Sequence, residues 1–325
     1  MNAAANPVCI MGPTAAGKTE LATALAAHLD GELISVDSAL VYKGLDVGSA
    51  KPSYPHHLID ICDPREVYSA ASFVRDAQNA MELIKAKNKR SILVGGSMLY
   101  FKALLHGLDP LPGADQELRK ALTNTARREG WPAIHADLAR RDPETAKRIH
   151  PNHSHRLLRA LELNILTGKR LAELHGGKDA GARRLAAEPI PCFALSSANR
   201  AVLHYRIERR LDDMLTRGFL EEVRSLLAMP GMHLELPSLR AVGYRQLARH
   251  LLGDYDLNEA RQRALAATRQ LAKRQLTWLR KWPGLIWILT DSDGLVVQHG
   301  PREALQVCDS GHSPVEIAQG YLRAI

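Results

Sequence analysis

Eight residues near the start of the chain, Gly12, Pro13, Thr14, Ala15, Ala16, Gly17, Lys18 and Thr19, fit the pattern G-x-x-x-x-G-K-[ST]. A loop of this kind binds phosphate. Gly12 and Gly17 let the backbone curl so that its N–H groups converge on phosphate oxygens, and the helix that follows adds partial positive charge. Lys18 brings a cation to the terminal phosphates, and the Thr19 hydroxyl can hold Mg²⁺. The second candidate group is Asp37, at the end of the apolar segment Glu32 to Val36. In open α/β sheets, ligands bind at the carboxyl ends of strands. There Asp37 could take a proton from a nucleophile while the loop holds a diphosphate leaving group. A helix cap, or a partner of metal-bound water, are the other roles open to it.

These residues need a frame. Val8 to Met11 reads as a buried strand, and Leu21, Leu25 and Leu29 recur at helical spacing, so the loop lies between strand and helix. Tyr42 to Pro55 is rich in Gly, Ser, Lys and Pro and reads as a loop or lid. His57 to Ile61 is a short strand candidate, Ser72 to Lys87 a helix, and Ser91 to Val94 a third buried strand followed at once by Gly95-Gly96-Ser97. Met98, Leu99 and Tyr100 behind it suit a pocket wall or the core equally well. This alternation predicts an α/β fold, a P-loop NTPase-like parallel sheet flanked by helices. No Asp ends the strand Ser91 to Val94, which argues against a motor ATPase or switch GTPase and leaves a small-molecule or nucleotide kinase open.

Strand signals vanish from about Ala114 to Ile190. The spacing predicts a core domain of residues 1–113 and 187–325 and a helical insertion over 114–186, ending in the flexible stretch Gly176 to Gly181. A strand returns at Pro191 to Leu195. Arg200 to Met229 reads as one long helix, Arg261 to Lys281 as another, and Leu285 to Leu289 as the last strand.

The helix from Arg261 to Lys281 carries Arg261, Arg263, Arg269, Lys273, Arg274, Arg280 and Lys281 and no carboxylate. Its core face is Leu265, Thr268, Ala272, Leu276 and Leu279. With a net charge of +8 over 325 residues, an uncompensated basic run points to a polyanion such as nucleic acid. Cys9, Cys62, Cys192 and Cys308 are too scattered for a zinc or redox motif, and Cys9 and Cys192 read as core. The histidines lack metal-site spacing. No apolar run is long enough to span a bilayer and no leader is evident, so a cytoplasmic protein is expected, and with no heptad seam or repeated interface pattern a monomer is the default.

Several stretches together resemble the tRNA dimethylallyltransferase (tRNA isopentenyltransferase) family. They are GPTAAGKT from Gly12, SVDSALVYKGLDVGSAKPS from Ser35, PHHLID from Pro55, VGGSMLYFKALLHGL from Val94, RIHPNHSHRLLRALEL from Arg148, RAVGYRQ from Arg240 and TRQLAKRQLTWLRK from Thr268. Kinases share the first alone. The resemblance implies transfer of a dimethylallyl group from dimethylallyl diphosphate to the exocyclic N6 amine of adenosine 37. That base lies just 3′ of the anticodon, in tRNAs reading codons that begin with U. The loop would then hold the donor's diphosphate, although it is commonly described as an ATP site.

By match, Gly12 to Lys18, Arg156 and Arg206 would bind the diphosphate, and Thr19 would hold the Mg²⁺ cofactor. Asp37 would take a hydrogen bond or proton from the adenine amine, and Ser97 would face the reacting centre. Asp37, Ser38, Ala39, Leu40, Ser97, Arg119, His155, Arg156, Leu157, Leu158, Arg159, Arg240, Ala241, Val242, Gly243, Tyr244 and Arg245 would touch the anticodon stem-loop. Three residues depart from the family pattern. Leu40 and His155 stand where Gln is common, and Ser97 where Thr is. Ser97 keeps the hydroxyl, whereas Leu40 has no group to bond a base edge.

Overall fold

A computed structural model describes residues 6–109, 111–174, 190–308 and 311–324. The chain starts with β1 (Val8–Met11), α1 (Lys18–His28), β2 (Gly31–Val36), β3 (His56–His57), α2 (Ala70–Ala86), β4 (Arg90–Gly95) and α3 (Met98–His106). Helices α4 (Gln116–Glu129), α5 (Trp131–Arg141), α6 (Pro143–Arg148), α7 (Ser154–Thr167) and α8 (Leu171–Leu174) follow. The sheet resumes at β5 (Cys192–Ser197), before α9 (Arg200–Thr216), α10 (Phe219–Ala228), α11 (Tyr244–Leu251) and α12 (Leu257–Leu279). Strands β6 (Ile286–Thr290), β7 (Val296–Pro301) and β8 (Gln306–Val307) and helix α13 (Pro314–Arg323) complete it.

The strands form one eight-stranded sheet in the order β3-β2-β4-β1-β5-β6-β7-β8. It is parallel from β3 to β6, as the alternation of strands and helices demands, and antiparallel at β7 and β8. Val8, Ile10, Ile92, Val94, Phe193 and Leu195 pack on Leu21 and Leu25 of α1 and on Ala318 of α13. A second cluster joins Val41, Tyr42 and Leu45 to α9, α10, α11 and α12. Cys9 and Cys192 are buried neighbours across β1 and β5. None of the described helices is long and apolar enough to cross a membrane.

Register places the site. Met11 pairs with Gly95, and Gly95 with Val36, so β1, β4 and β2 end at one level. The next residues, Gly12, Gly96 and Asp37, therefore leave the sheet side by side.

Some elements differ from the sequence reading. The helix expected over Arg200 to Met229 is two, because Gly218 takes φ +95° between α9 and α10. The strand expected over His57 to Ile61 stops at His57, because Leu58 and Asp60 adopt φ of +66° and +57°. Strands β7 and β8 had no sequence signal strong enough to be read, since Val296–Pro301 mixes polar residues with Gly and Pro.

The chain divides into two compact units, Met1–Leu104 with Ala186–Ile325, and Leu105–Leu185. The second begins within α3, earlier than the composition change near Ala114. Its core is Ala126, Ile134, Leu138, Ala146, Leu157, Ala160 and Leu161. The stretch Gly176 to Gly181 lies outside the described residues.

Candidate active site

The loop from Gly12 to Gly17 leads directly into α1. Gly12 passes so close to the Leu195 carbonyl that a Cβ would lie 2.3 Å from it, which is why a glycine stands there. Lys18 donates from Nζ to the Pro13 carbonyl at 2.7 Å. Burial first, and then the charge of Arg210, bring the Lys18 ammonium down to about 8, with Asp37 and Glu20 opposing.

Two cavities meet this loop. One, of about 740 Å³, is lined by Ala15 to Leu21 together with Arg206 and Arg210 of α9. Arg206 is held by the carbonyls of Asp291 and Ser292, each 3.0 Å from Nη2. The other, of about 680 Å³, is lined by Thr14, Lys18 and Thr19, by Asp37 to Leu40, by Gly95 to Tyr100 and by Arg240 to Tyr244. Arg210 reaches both cavities. Burial holds its guanidinium below the ordinary arginine value.

Asp37 accepts from the N–H groups of Ala39 at 2.8 Å and Leu40 at 3.3 Å, both through Oδ1. The turn after β2 is thus capped by one carboxylate oxygen, and Oδ2 has no hydrogen-bond partner among the described residues. Ser97 Oγ accepts from the Ser38 N–H at 3.1 Å. The hydroxyl of Ser97 and the carboxylate of Asp37 therefore sit on one bonded turn. Met98, Leu99 and Tyr100 all line the cavity, with Met98 and Tyr100 buried and Leu99 exposed. The sequence left pocket wall and core open; Met98 and Tyr100 serve as both, and Leu99 as wall alone.

The stretch read as a loop or lid is pinned. Glu222 of α10 accepts from the N–H groups of Asp46, Val47 and Gly48 at 3.0, 2.6 and 3.1 Å. The Tyr244 hydroxyl donates to the same carboxylate at 2.6 Å, and Lys51 bridges Asp46 and Asp60. Arg210 donates to the Ser49 carbonyl at 3.3 Å.

Helix α12 corrects the view of an uncompensated basic run. Arg261 makes a two-pronged pair with Asp212, at 2.7 and 2.8 Å, and reaches Glu208 at 3.2 Å. Arg269 pairs with Glu208 and Arg263 with Glu259. The carboxylates come from α9, distant in sequence, and from the turn before the run. Lys273, Arg274, Arg280 and Lys281 are exposed and have no carboxylate partner among the described residues. Arg274 and Trp278 line the second cavity.

Of the residues expected to bind substrates, Arg245 is exposed outside the lining of that cavity, and Tyr244 is buried. Arg119, His155, Arg156, Leu157, Leu158 and Arg159 belong to the helical unit. Within it, Leu157 is in the core, and Arg119 and Arg159 are both committed to Glu162, which is fully buried. Arg119 binds it with two nitrogens at 2.9 Å, Arg159 at 2.7 Å, and the Asp115 N–H at 2.8 Å. His155 and Arg156 are exposed on α7.

The sequence reading missed Arg210 and Gln275. Arg210 follows Arg206 by one helical turn, a spacing that puts both on one face. Gln275 is a polar residue at a core position of α12, which by itself calls for a partner.

A family model described as IPP transferase matches residues 40–282. The chain belongs to the IPP transferase family. The matched span begins beyond the phosphate loop, so the loop adds independent support. A tRNA isopentenylpyrophosphate transferase of Bacillus halodurans is 35% identical, covers 89% of this chain and 92% of its own, and superposes with a TM-score of 0.63. The tRNA isopentenylpyrophosphate transferase of Staphylococcus epidermidis is 29% identical over 98% and 99% of the two chains, with a TM-score of 0.63. A eukaryotic dimethylallyltransferase acting on tRNA is 27% identical over 84% and 69%, with a TM-score of 0.67. This IPP transferase is accordingly a prenyltransferase of tRNA, and the kinase reading is not favoured. The family uses a divalent metal.

Proposed function

We propose that this enzyme moves a dimethylallyl group from dimethylallyl diphosphate to N6 of adenosine 37 of tRNA and releases diphosphate. The observation that carries the reading is one cavity shared by the phosphate loop and by the Asp37–Ser97 turn. An adenine amine is a weak nucleophile, because its lone pair is delocalised. The allylic carbon must therefore gain cationic character as its C–O bond breaks. Lys18, Arg206, Arg210 and the loop amides stabilise the departing diphosphate. As the C–N bond forms, the amine proton passes to Asp37, whose Oδ1 is fixed by the turn while Oδ2 is not engaged by it. Ser97 keeps that turn in place. Such an adenine must leave its stack to enter the cavity.

The Thr19 hydroxyl is a hard, exposed oxygen at the loop, and the described residues hold no cluster of three acidic, His or Cys ligands. That donor set fits Mg²⁺, which takes few protein ligands and completes its shell with phosphate oxygens and water. Bound there by Thr19, it would neutralise diphosphate charge. On the tRNA side, Asp37 to Leu40, Arg240 to Tyr244, Arg245, Arg274 and Lys281 are the contacts this reading uses. His155, Arg156 and Leu158 of the helical unit add to them. Arg119 and Arg159 act through Glu162 to hold α7. The enzyme works as a cytoplasmic monomer.

The test is incorporation of label from dimethylallyl diphosphate into unmodified tRNA, with Mg²⁺ and without ATP. Incorporation that disappears when adenosine 37 is replaced supports the reading. ATP turnover with a small acceptor, and no incorporation, overturns it.

A further inference from the structure

We infer that Gln275 is a positioning residue that locks the diphosphate loop to the loop carrying Ser97. The inference rests on the reaction proposed above. Gln275 lies near the C-terminal end of α12 and is 8% exposed. Its Oε1 accepts from the Thr14 N–H at 3.0 Å, and its Nε2 donates to the Gly96 carbonyl at 2.9 Å. The partners dictate the orientation of the amide, since a backbone N–H can only donate and a carbonyl can only accept. Gly96 is fitted to it, because a Cβ there would lie 2.3 Å from Nε2.

One side chain therefore satisfies one backbone group from each of two loops. One loop grips the leaving group, and the other carries Ser97, which holds the turn of Asp37. The reacting nitrogen and carbon must approach along one line, and displacements of about 1 Å can cost on the order of a hundredfold in rate. Gln275 also stands between Arg274 and Trp278, both lining the same cavity. The helix that meets the tRNA side thus sets the spacing between the two reacting halves.

Gln275→Glu makes this testable. A protonated Glu side chain can still accept from Thr14 and donate to Gly96. Once ionised, it can only accept: one oxygen still takes the Thr14 N–H, while the other faces the Gly96 carbonyl oxygen and that interaction becomes repulsive. Burial raises a carboxyl's pKa. Lys18, Arg210 and Arg274 border the same cavity and pull the introduced carboxyl's pKa down, while Asp37 adds to burial in raising it; the titrations of these groups themselves are common to both proteins and divide out of a ratio.

Steady-state prenyl transfer would be measured against pH for Gln275→Glu, Gln275→Met and the unsubstituted enzyme. Gln275→Glu should approach normal kcat in acid, and its ratio to the unsubstituted enzyme should fall through a single-proton step as pH rises. Gln275→Met, similar in length and without polar atoms, should lose about tenfold to a hundredfold in kcat with tRNA KM changed by less than about threefold. A ratio flat with pH, or a Gln275→Met kcat within about twofold of normal, would overturn the inference. The acid-active Glu variant serves as its own folding control. Absence of prenyl transfer by the unsubstituted enzyme would instead overturn the underlying reaction.

Discussion

Arg210 of α9 and Lys18 of the phosphate loop border the same cavities, and the charge of Arg210 adds to burial in holding Lys18 at about 8. Two cations are thereby kept close before any anion arrives, a repulsion that a diphosphate relieves on binding.

The first consequence is a pH dependence. Lys18 is cationic below about 8 and loses its charge above it. The kcat/KM for dimethylallyl diphosphate, which reports the free enzyme, should therefore fall on the alkaline side with a midpoint near 8. Arg210→Gln should move that midpoint up, toward the ordinary lysine value of 10.5, while raising KM for the diphosphate. An unmoved midpoint would show that the two cations are not coupled.

Asp37 has two roles that can be separated. Removing its carboxylate with Ala also frees the N–H groups of Ala39 and Leu40, whereas Asn keeps an oxygen for them. Asp37→Asn should lower kcat by roughly a hundredfold or more, the scale of general-base catalysis, with tRNA affinity nearly unchanged. Single-turnover kinetics beside a binding titration measures both, and near-normal turnover would exclude Asp37 as the proton acceptor.

The basic residues of α12 should fall into two groups. Arg274→Glu and Lys281→Glu should weaken tRNA binding and reduce its salt slope by about one unit for each phosphate no longer neutralised. Arg261→Ala should leave the slope alone and lower the melting temperature, because Arg261 is spent on Asp212 and Glu208. A salt titration of binding with each variant decides it.

Glu162 should matter to the helical unit far more than its position on α7 suggests. Burial works to raise its pKa, but Arg119, Arg159 and the Asp115 N–H outweigh burial and bring it below the ordinary value of 4.5. Stability from a depressed carboxyl is present at neutral pH and disappears as pH falls from about 4.5 through the lower folded value. Glu162→Ala leaves two arginines without their anion and should cost about 3–5 kcal/mol. Replacing all three residues with apolar ones should recover much of that loss. Thermal melts of the three proteins at neutral and acid pH test both points.

Much of this enzyme was legible in its sequence, for a physical reason. A phosphate loop is built from consecutive residues, so its spacing survives as a pattern, and strand ends and helix spacings are also local. The strand-loop-helix start, the place of Asp37 after β2, the glycines before Ser97 and the helical character of the middle segment were all readable. Other features required the tertiary structure, because they depend on residues far apart in sequence. Asp212 and Glu208 of α9 neutralise part of α12 across about fifty residues or more. Gln275 reaches the loops of Thr14 and Gly96 from the far end of the chain. The break at Gly218 and the C-terminal end of β3 were decided by positive φ angles. Spacing along the chain determined which groups could bind a phosphate; packing alone determined which charges remained available and which side chain held the two halves of the site together.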